Sequence, residues 1–430
     1  MDKPDISRRN LLKGGGALTG FSMLRAAFPS SALSQSDEEV LPWFDQPPPD
    51  VVDNVQPWEK LDTWITPIER FFNVNHYGQP TSLDESTWRL DIGGLVSRPR
   101  SLTVDEIKAR QRRAQFFTLE CSGDNGFPNF SSAIGNAEWA GTPLAPLLHE
   151  AGILEQGIEV VFYGIDSGEV TIRDNDGILR RGRTGHVEKG ADGNLDLTIT
   201  EQFARSMSVQ EALHPANLLC YEMNGATLPV EHGFPLRLIA PGWFGVANVK
   251  WLTRIEIIDQ RYAGRLMARD YVNIREQERN GQTVWMFTTV SHILLKSAPG
   301  RVVRRNGRYA VRGAAWGAPI AAVQVQIDGG PWLDARLEGA EGARHWEDHT
   351  EDLPMTSSDH WGFDRRRSRG YTWRFWTFEW GRPSPGKHTV RSRAFDVDGN
   401  MQPAPTDPFI ADKVTYWESS GQITREVVIS

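Results

Sequence analysis

The chain has 430 residues, with 47 basic against 55 acidic side chains and a formal net charge of −8 at pH 7. That balance, with no basic run interleaved with aromatics, argues against a nucleic-acid partner. Its two cysteines supply neither an iron–sulfur set nor a Cys-x-x-Cys-His haem attachment, so no haem is expected.

Residues 1–34 read as a twin-arginine export signal. Ser7-Arg8-Arg9-Asn10-Leu11-Leu12-Lys13 precedes a weakly apolar stretch from Gly14 to Phe28, and a small-x-small cleavage pattern follows at Ala32-Leu33-Ser34. The stretch is too short and too glycine-rich to be a stable membrane anchor. The expected localisation is therefore the periplasm, reached in the folded state, and the usual reason to fold before export is a cofactor inserted beforehand. Without this leader roughly 390 residues remain, more than one core usually covers, so two domains are expected.

Residues 35–57 are acidic and proline-rich and predict an extended arm. Trp88–Gly94 alternates as a strand, and Leu102–Arg113 predicts a short helix with Thr103 as N-cap ahead of Glu106. Pro143–Gly152 carries leucines on one helical face and stops at glycine. Strands are predicted at Ile158–Tyr163, Glu169–Arg173, Leu218–Met223, Leu236–Ala240 and Val249–Ile258, with Asn224-Gly225 as a hairpin turn. This order predicts an α+β domain over residues 58–282. From Thr283 the pattern changes to strands separated by turns, at Tyr309–Trp316, Ala322–Ile327, Tyr371–Trp380 and His388–Phe395. It predicts an immunoglobulin-like β-sandwich over 283–430, with an insertion at about 338–370 whose histidines lack a clean metal spacing.

Cys121 closes the apolar run Phe116-Phe117-Thr118-Leu119-Glu120 and opens Ser122-Gly123-Asp124-Asn125-Gly126. A strand that delivers a thiol into a glycine-rich loop holds the sulfur while leaving one side open, which suits a metal, a redox partner or a covalent intermediate. The residue type alone also allows an inert buried cysteine or a disulfide with Cys220.

Four segments carry a resemblance when taken together. They are Phe71-Phe72-Asn73-Val74-Asn75-His76; Phe117 to Gly123; Tyr221-Glu222-Met223-Asn224-Gly225 through Glu231-His232-Gly233-Phe234-Pro235-Leu236-Arg237; and Asn248-Val249-Lys250-Trp251-Leu252 followed by Arg269-Asp270-Tyr271. This set resembles the sulfite oxidase family of mononuclear molybdenum enzymes. The resemblance extends from about Trp58 to the C-terminus through Ala314-Ala315-Trp316-Gly317 and Asp328-Gly329-Gly330-Pro331-Trp332.

The resemblance implies that Cys121 is the metal ligand, beside the dithiolene sulfurs of molybdopterin, and that Phe72, Asn75, His76, His232, Arg237, Asn248, Val249 and Lys250 hold that cofactor. Tyr271 is implied as a catalytic phenol beside the metal. Val74 and Gly126 stand where the family places arginines that bind a dianionic substrate, and Arg269 or arginines of the insertion are candidates to compensate. The implied function is a periplasmic oxidoreductase performing oxygen-atom transfer at a Cys-ligated molybdenum. Sulfite or a related sulfur compound is the default substrate, with electrons passed to an external carrier such as a c-type cytochrome. S- or N-oxide reduction, or oxidation of a less charged substrate, stands as the alternative on the same cofactor. A non-catalytic exported binding protein is the alternative of another class. The family also implies a homodimer through the second domain.

Overall fold

The computed structural model describes residues 38–44, 58–61, 63–124, 133–173, 186–189, 195–338 and 371–430; the predicted signal at 1–34, Gly126 and residues 339–370 of the predicted insertion lie outside them. The elements from Glu39 onward belong to one unit.

β1 (Glu39–Leu41) falls within the predicted arm, and it is a sheet strand paired antiparallel with Val302–Arg304. β2 (Arg89–Gly94) and β3 (Arg100–Thr103) lead into α1 (Val104–Lys108). Thr103 and Glu106 close a reciprocal capping box, as the sequence predicts. The helix ends early, however, because Arg113 already opens β4 (Arg113–Glu120), whose residues Phe117 to Glu120 are all buried. β5 (Ile134–Pro143) pairs with β4 and hands over to α2 (Leu144–Ala151), which buries Leu144, Leu147, Leu148 and Ala151 and is capped by left-handed Gly152.

Two predicted strands are one. β6 (Glu159–Arg173) continues through a register irregularity between Tyr163 and Ser167 in its pairing with β8 (Leu195–Ser208), while β7 (His186–Lys189) flanks β8. After α3 (Val209–Ala212), β9 (Leu218–Met223) turns at Asn224-Gly225 into β10 (Ala226–Thr227). Both turn residues have positive φ, 52° and 75°, which is why asparagine and glycine stand there. β11 (Arg237–Ile239), β12 (Leu252–Ile258) and α4 (Arg265–Ala268) follow. A two-stranded hairpin of β13 (Val272–Arg279) and β14 (Gln282–Thr289) comes next, and residue 283 lies in its second strand.

The remaining elements are β15 (Lys296–Arg305), β16 (Arg308–Trp316), β17 (Ile320–Ile327), β18 (Trp332–Leu337), β19 (Arg374–Gly381), β20 (Gly386–Asp396), α5 (Pro408–Ala411) and β21 (Thr424–Ile429). The strand orders are β3-β2-β12-β6-β8-β7, β10-β9-β5-β4 with β11 on β9, and β1-β15-β16-β19-β18-β17-β20-β21. Among the described residues the α-helices span only four to eight residues. The expected α+β balance is thus shifted strongly towards β, with short helices serving as connectors between strands.

The largest apolar core joins both halves of the sequence: Leu90, Phe117, Trp139 and Leu252 share it with Ala298, Ala314, Trp316 and Trp373. A polar tie runs through that core. Glu120, the last residue of β4, is fully buried and accepts from Lys296 Nζ at 2.5 Å and from Trp316 Nε1 at 2.9 Å. Removing one partner of such a buried pair leaves an uncompensated charge and costs about 3–5 kcal/mol. Lys296→Met is accordingly expected to lower the denaturation midpoint strongly, and Glu120→Gln combined with Lys296→Met to recover part of the loss. Equal midpoints for wild type and Lys296→Met in chemical unfolding would contradict this assignment.

Candidate functional site

A pocket of about 650 Å³ opens where the loops after β4, β11 and α4 meet the segment from Phe71 to His76. Cys121 leaves the end of β4 through a backbone bond from its N–H to Ala133 O, and its thiol faces this pocket. Both cysteines are free thiols, and Cys220 is buried in β9, so the disulfide allowed by the sequence is not formed. Burial, reinforced by the nearby carboxyls of Asp124 and Glu120, pushes the Cys121 thiol up to about 12. A cation beside the sulfur would reverse that penalty and favour the thiolate.

Tyr271 and His76 form the second part of the site. The tyrosine OH lies 2.5 Å from His76 Nε2. Burial raises the phenol well above its usual range, with Cys121 adding to the rise, and burial together with Arg265 and Lys250 lowers the imidazole to about 4. At neutral pH the phenol is therefore protonated and the imidazole neutral. When His76 carries its proton on Nε2 it donates to the tyrosine oxygen, and the phenol O–H is left to donate to an oxygen beside Cys121.

The third part is cationic. Lys250 Nζ donates to Asn73 Oδ1 at 2.8 Å, to Glu231 O at 3.0 Å and to Asn75 Oδ1. Its stem follows a backbone held by Trp251, which has φ 50°, donates from Nε1 to Val230 O at 2.8 Å and lies 4.6 Å beneath the ammonium. Burial, with the neighbouring Arg237 charge, lowers Lys250 to about 7. Arg237 donates to His232 O at 2.7 Å and to Asn248 O at 3.0 Å, while its buried Nε has no partner among the described residues. Gly233 permits this convergence: φ is 112°, and a Cβ there would stand 3.0 Å from Arg237 Cβ and 3.2 Å from Lys250 Cα.

The sequence-derived residues therefore converge with distinct roles. Cys121, Tyr271, Phe72, Asn75, His76, His232, Arg237, Asn248 and Lys250 all line the pocket. Asn248 does so differently, since its side-chain oxygen accepts from Ala240 N and its amide donates to Trp243 O and Phe244 O; it shapes the loop and leaves no side-chain donor over. Val249 is buried in the core, and its carbonyl accepts from Leu238 N rather than facing the pocket. Val74 lines the pocket and packs on the apolar core, whereas Arg269 is exposed and paired with Asp270.

Several lining or supporting residues escaped the sequence reading. Asp166 sits in the irregularity of β6, buried, with Oδ1 unpartnered among the described residues, and burial raises its carboxyl to about 6. Phe203 packs on His76 with ring centroids 5.4 Å apart. Arg205 donates to the carbonyls of Leu266 and Val290 on either side of the Tyr271 segment, and its guanidinium lies 6.0 Å from that ring. Trp417 packs against Tyr271 with the rings tilted by 34° and centroids 4.3 Å apart. The local pattern of an isolated aspartate in a strand or a tryptophan in a late loop carries no signal for such contacts.

Because an anion seated against Lys250 favours its charged form, the labelled lysine in cofactor-free protein is expected to titrate near 7 by NMR and to shift upward when inorganic phosphate is added. A midpoint near the ordinary lysine value, or one insensitive to phosphate, would contradict an anion seat here.

The chain is similar to known proteins in sequence and in fold. Residues 76–266 match the family model of the oxidoreductase molybdopterin binding domain. The chain is 27% identical over 392 residues to mitochondrial sulfite oxidase of Rattus norvegicus, covering 85% of this chain and 61% of that protein. It is 30% identical over 324 residues to sulfite oxidase of Gallus gallus, covering 68% and 64%. The chain thus spans about three-fifths of the length of the rat relative. Its fold is shared with the crystal structure of the sulfane dehydrogenase SoxCD from Paracoccus pantotrophus, at a TM-score of 0.64, 22% identity and 96% coverage of both chains. With a thiol loop and a cationic cradle inside the matched region and Tyr271 just beyond it, the chain carries an oxidoreductase molybdopterin binding domain and is similar to the sulfite oxidases.

Proposed function

We propose that the protein is a molybdopterin-dependent oxidoreductase that moves an oxygen atom onto or off a small sulfur compound and passes electrons to an external one-electron carrier. The observation that carries this reading is the convergence of Cys121, Tyr271, His76, Lys250 and Arg237 on one pocket. The donor set fits the cofactor. Cys121 offers a soft ligand, Lys250 and Arg237 offer positive charge for a phosphate, and the orphaned Arg237 Nε and Asp166 Oδ1 offer a buried donor and acceptor for a pterin. When bound, molybdenum with its dithiolene supplies the two-electron oxygen-atom chemistry.

The chain's own residues supply position and charge. Cys121 would hold the metal of the group, and Lys250, Arg237 and His232 would hold its polar part. Tyr271, held protonated and boxed by His76, Arg205 and Trp417, donates to the oxygen that gains charge as transfer proceeds. Arg205 keeps that phenol in place through the two carbonyls it binds.

Sulfite is the default substrate, supported by the names of the sulfite oxidases that the chain resembles. A less charged sulfur compound, or reduction of an S- or N-oxide, is favoured by two observations. Val74 is apolar where a cation would meet a dianion, and Arg265 and Arg269 both spend their charge on Asp270. The twin-arginine leader supports action in the periplasm. The β15–β21 sheet is read as the immunoglobulin-like domain that carries a homodimer contact.

Turnover of molybdenum-loaded protein with ferricyanide across sulfite, thioethers, sulfoxides and amine oxides tests the reading; activity with none of them would overturn it. Tyr271→Phe is expected to lower kcat by about 10²-fold, the scale of losing one donor to a developing oxyanion, with little change in metal content. Unchanged kcat would remove the phenol from the chemistry.

A further inference from the structure

The hairpin β13–β14 carries an apolar face that the pocket does not use. A third segment extends it: Val414 N donates to Ile274 O at 2.9 Å, and Lys413 bridges Arg275. Ile274 stands opposite Phe287 and Glu276 opposite Trp285, so alternation places these four side chains together on one face. Phe287 is 64% exposed, Trp285 53% and Val414 64%. Arg275 points to the other face, where its guanidinium lies 4.0 Å from the Phe409 ring. Large apolar side chains gathered in water on one strand face mark an interaction surface more often than chance.

Carboxylates flank the turn end of this face, while at its other end Arg261, 3.7 Å from Glu159, donates to Thr289 Oγ1 at 3.0 Å. Glu276 and Glu278 follow Ile274 at the two-residue spacing of its face, and Asp412 precedes Val414 at the same spacing; all three are exposed. The face also adjoins the pocket through aromatic rings. Tyr416, two residues beyond Val414 and 51% exposed, packs tilted against Trp417 with centroids 4.2 Å apart, and Trp417 packs tilted against Tyr271 at 4.3 Å. Trp417 also abuts the metal-ligand loop, since a Cβ on Gly123 would stand 3.4 Å from its ring and 3.8 Å from Cys121 Sγ. A continuous run of ring contacts thus leads from the pocket to the margin of the acidic, apolar face.

We propose that this β13–β14 face is the docking surface for the external electron carrier, a small haem protein whose haem edge is ringed by basic side chains. The apolar centre matches an exposed haem edge, and the carboxylates match the basic ring, which gives orientation and salt-sensitive association. Tunnelling falls off steeply with the gap between redox groups, so a haem seated here lies at the outer end of the Tyr271–Trp417–Tyr416 contacts. The step balances. Oxygenation of one substrate sulfur with oxygen from water releases two protons and two electrons, and two ferric carriers each take one electron to become ferrous. This inference rests on the oxidoreductase reading proposed above.

The test is surface plasmon resonance with immobilised molybdenum-loaded full chain and a basic ferric c-type cytochrome as analyte. Trp285→Ser with Phe287→Ser is expected to weaken binding at least about tenfold, as loss of buried aromatic anchors does. Glu276→Lys with Asp412→Lys is expected to weaken it and flatten its dependence on salt. Leu333→Ser, an exposed apolar position on β18, is expected to leave it unchanged. Equal affinity of wild type and the Trp285/Phe287 variant overturns the proposal. So does cytochrome binding that persists while the variant loses self-association in sedimentation, which would assign the face to a second copy. Ferricyanide turnover of the same samples separates the two readings: its absence in wild type sinks the oxidoreductase reading, whereas its retention in a variant that no longer binds cytochrome supports the docking face.

Discussion

The buried carboxylate of Glu120 sets the frame on which the site depends. It precedes Cys121 directly, and its two oxygens take Lys296 Nζ from the first residue of β15 and Trp316 Nε1 from the last residue of β16. The sulfur is thereby fixed relative to the eight-stranded sheet as well as to β4. An ion pair sequestered from water gains little net stability against an apolar substitute, but breaking it is costly, so it holds one geometry rather than many. The backbone continues the same theme, with Cys121 N–H on Ala133 O and Glu418 N–H on Ser122 O.

From that anchor the pocket is assembled by segments far apart in sequence. Phe71 to His76 supplies acceptors and the imidazole, β11 and the loop before β12 supply the cations, and the residues after α4 supply the phenol. Each is held by its own local device. Trp251 in a left-handed conformation fixes Lys250, Gly233 lets Arg237 approach, and Arg205 binds carbonyls on both sides of Tyr271. Strain and buried guanidinium groups concentrate here because the site requires fixed charge in a small volume. The electrostatics are consistent with a site built to receive an anionic, polar group: the cations lose part of their preference for charge, and Asp166 retains an acceptor without a partner.

Much of this was legible in the sequence where the signal is local. Thr103 with Glu106 marked a capping box, Asn224-Gly225 marked a hairpin, and Gly152 marked a helix end, since each is a short-range constraint. The single strand β6 was divided in two because Gly164 and Asp166 interrupt its apolar alternation, and the interruption is the register irregularity that brings Asp166 to the pocket. In the site, Cys121, Tyr271, His76, His232, Arg237 and Lys250 were found through ordered motifs. Val249 belonged to a motif but points to the core, and Asn248 serves the backbone, because a motif records neighbours along the chain and not which side chain faces the ligand. Arg205 and Trp417 were invisible for the complementary reason: their partners lie 61 and more residues away in the sequence.

The central claim is that Cys121 binds the metal in this pocket, and molybdenum X-ray absorption on loaded wild type and Cys121→Ser tests it most directly. The variant is expected to lose one sulfur neighbour at the metal while Lys250 and Arg237 still retain the pterin. An unchanged sulfur shell in Cys121→Ser would contradict it.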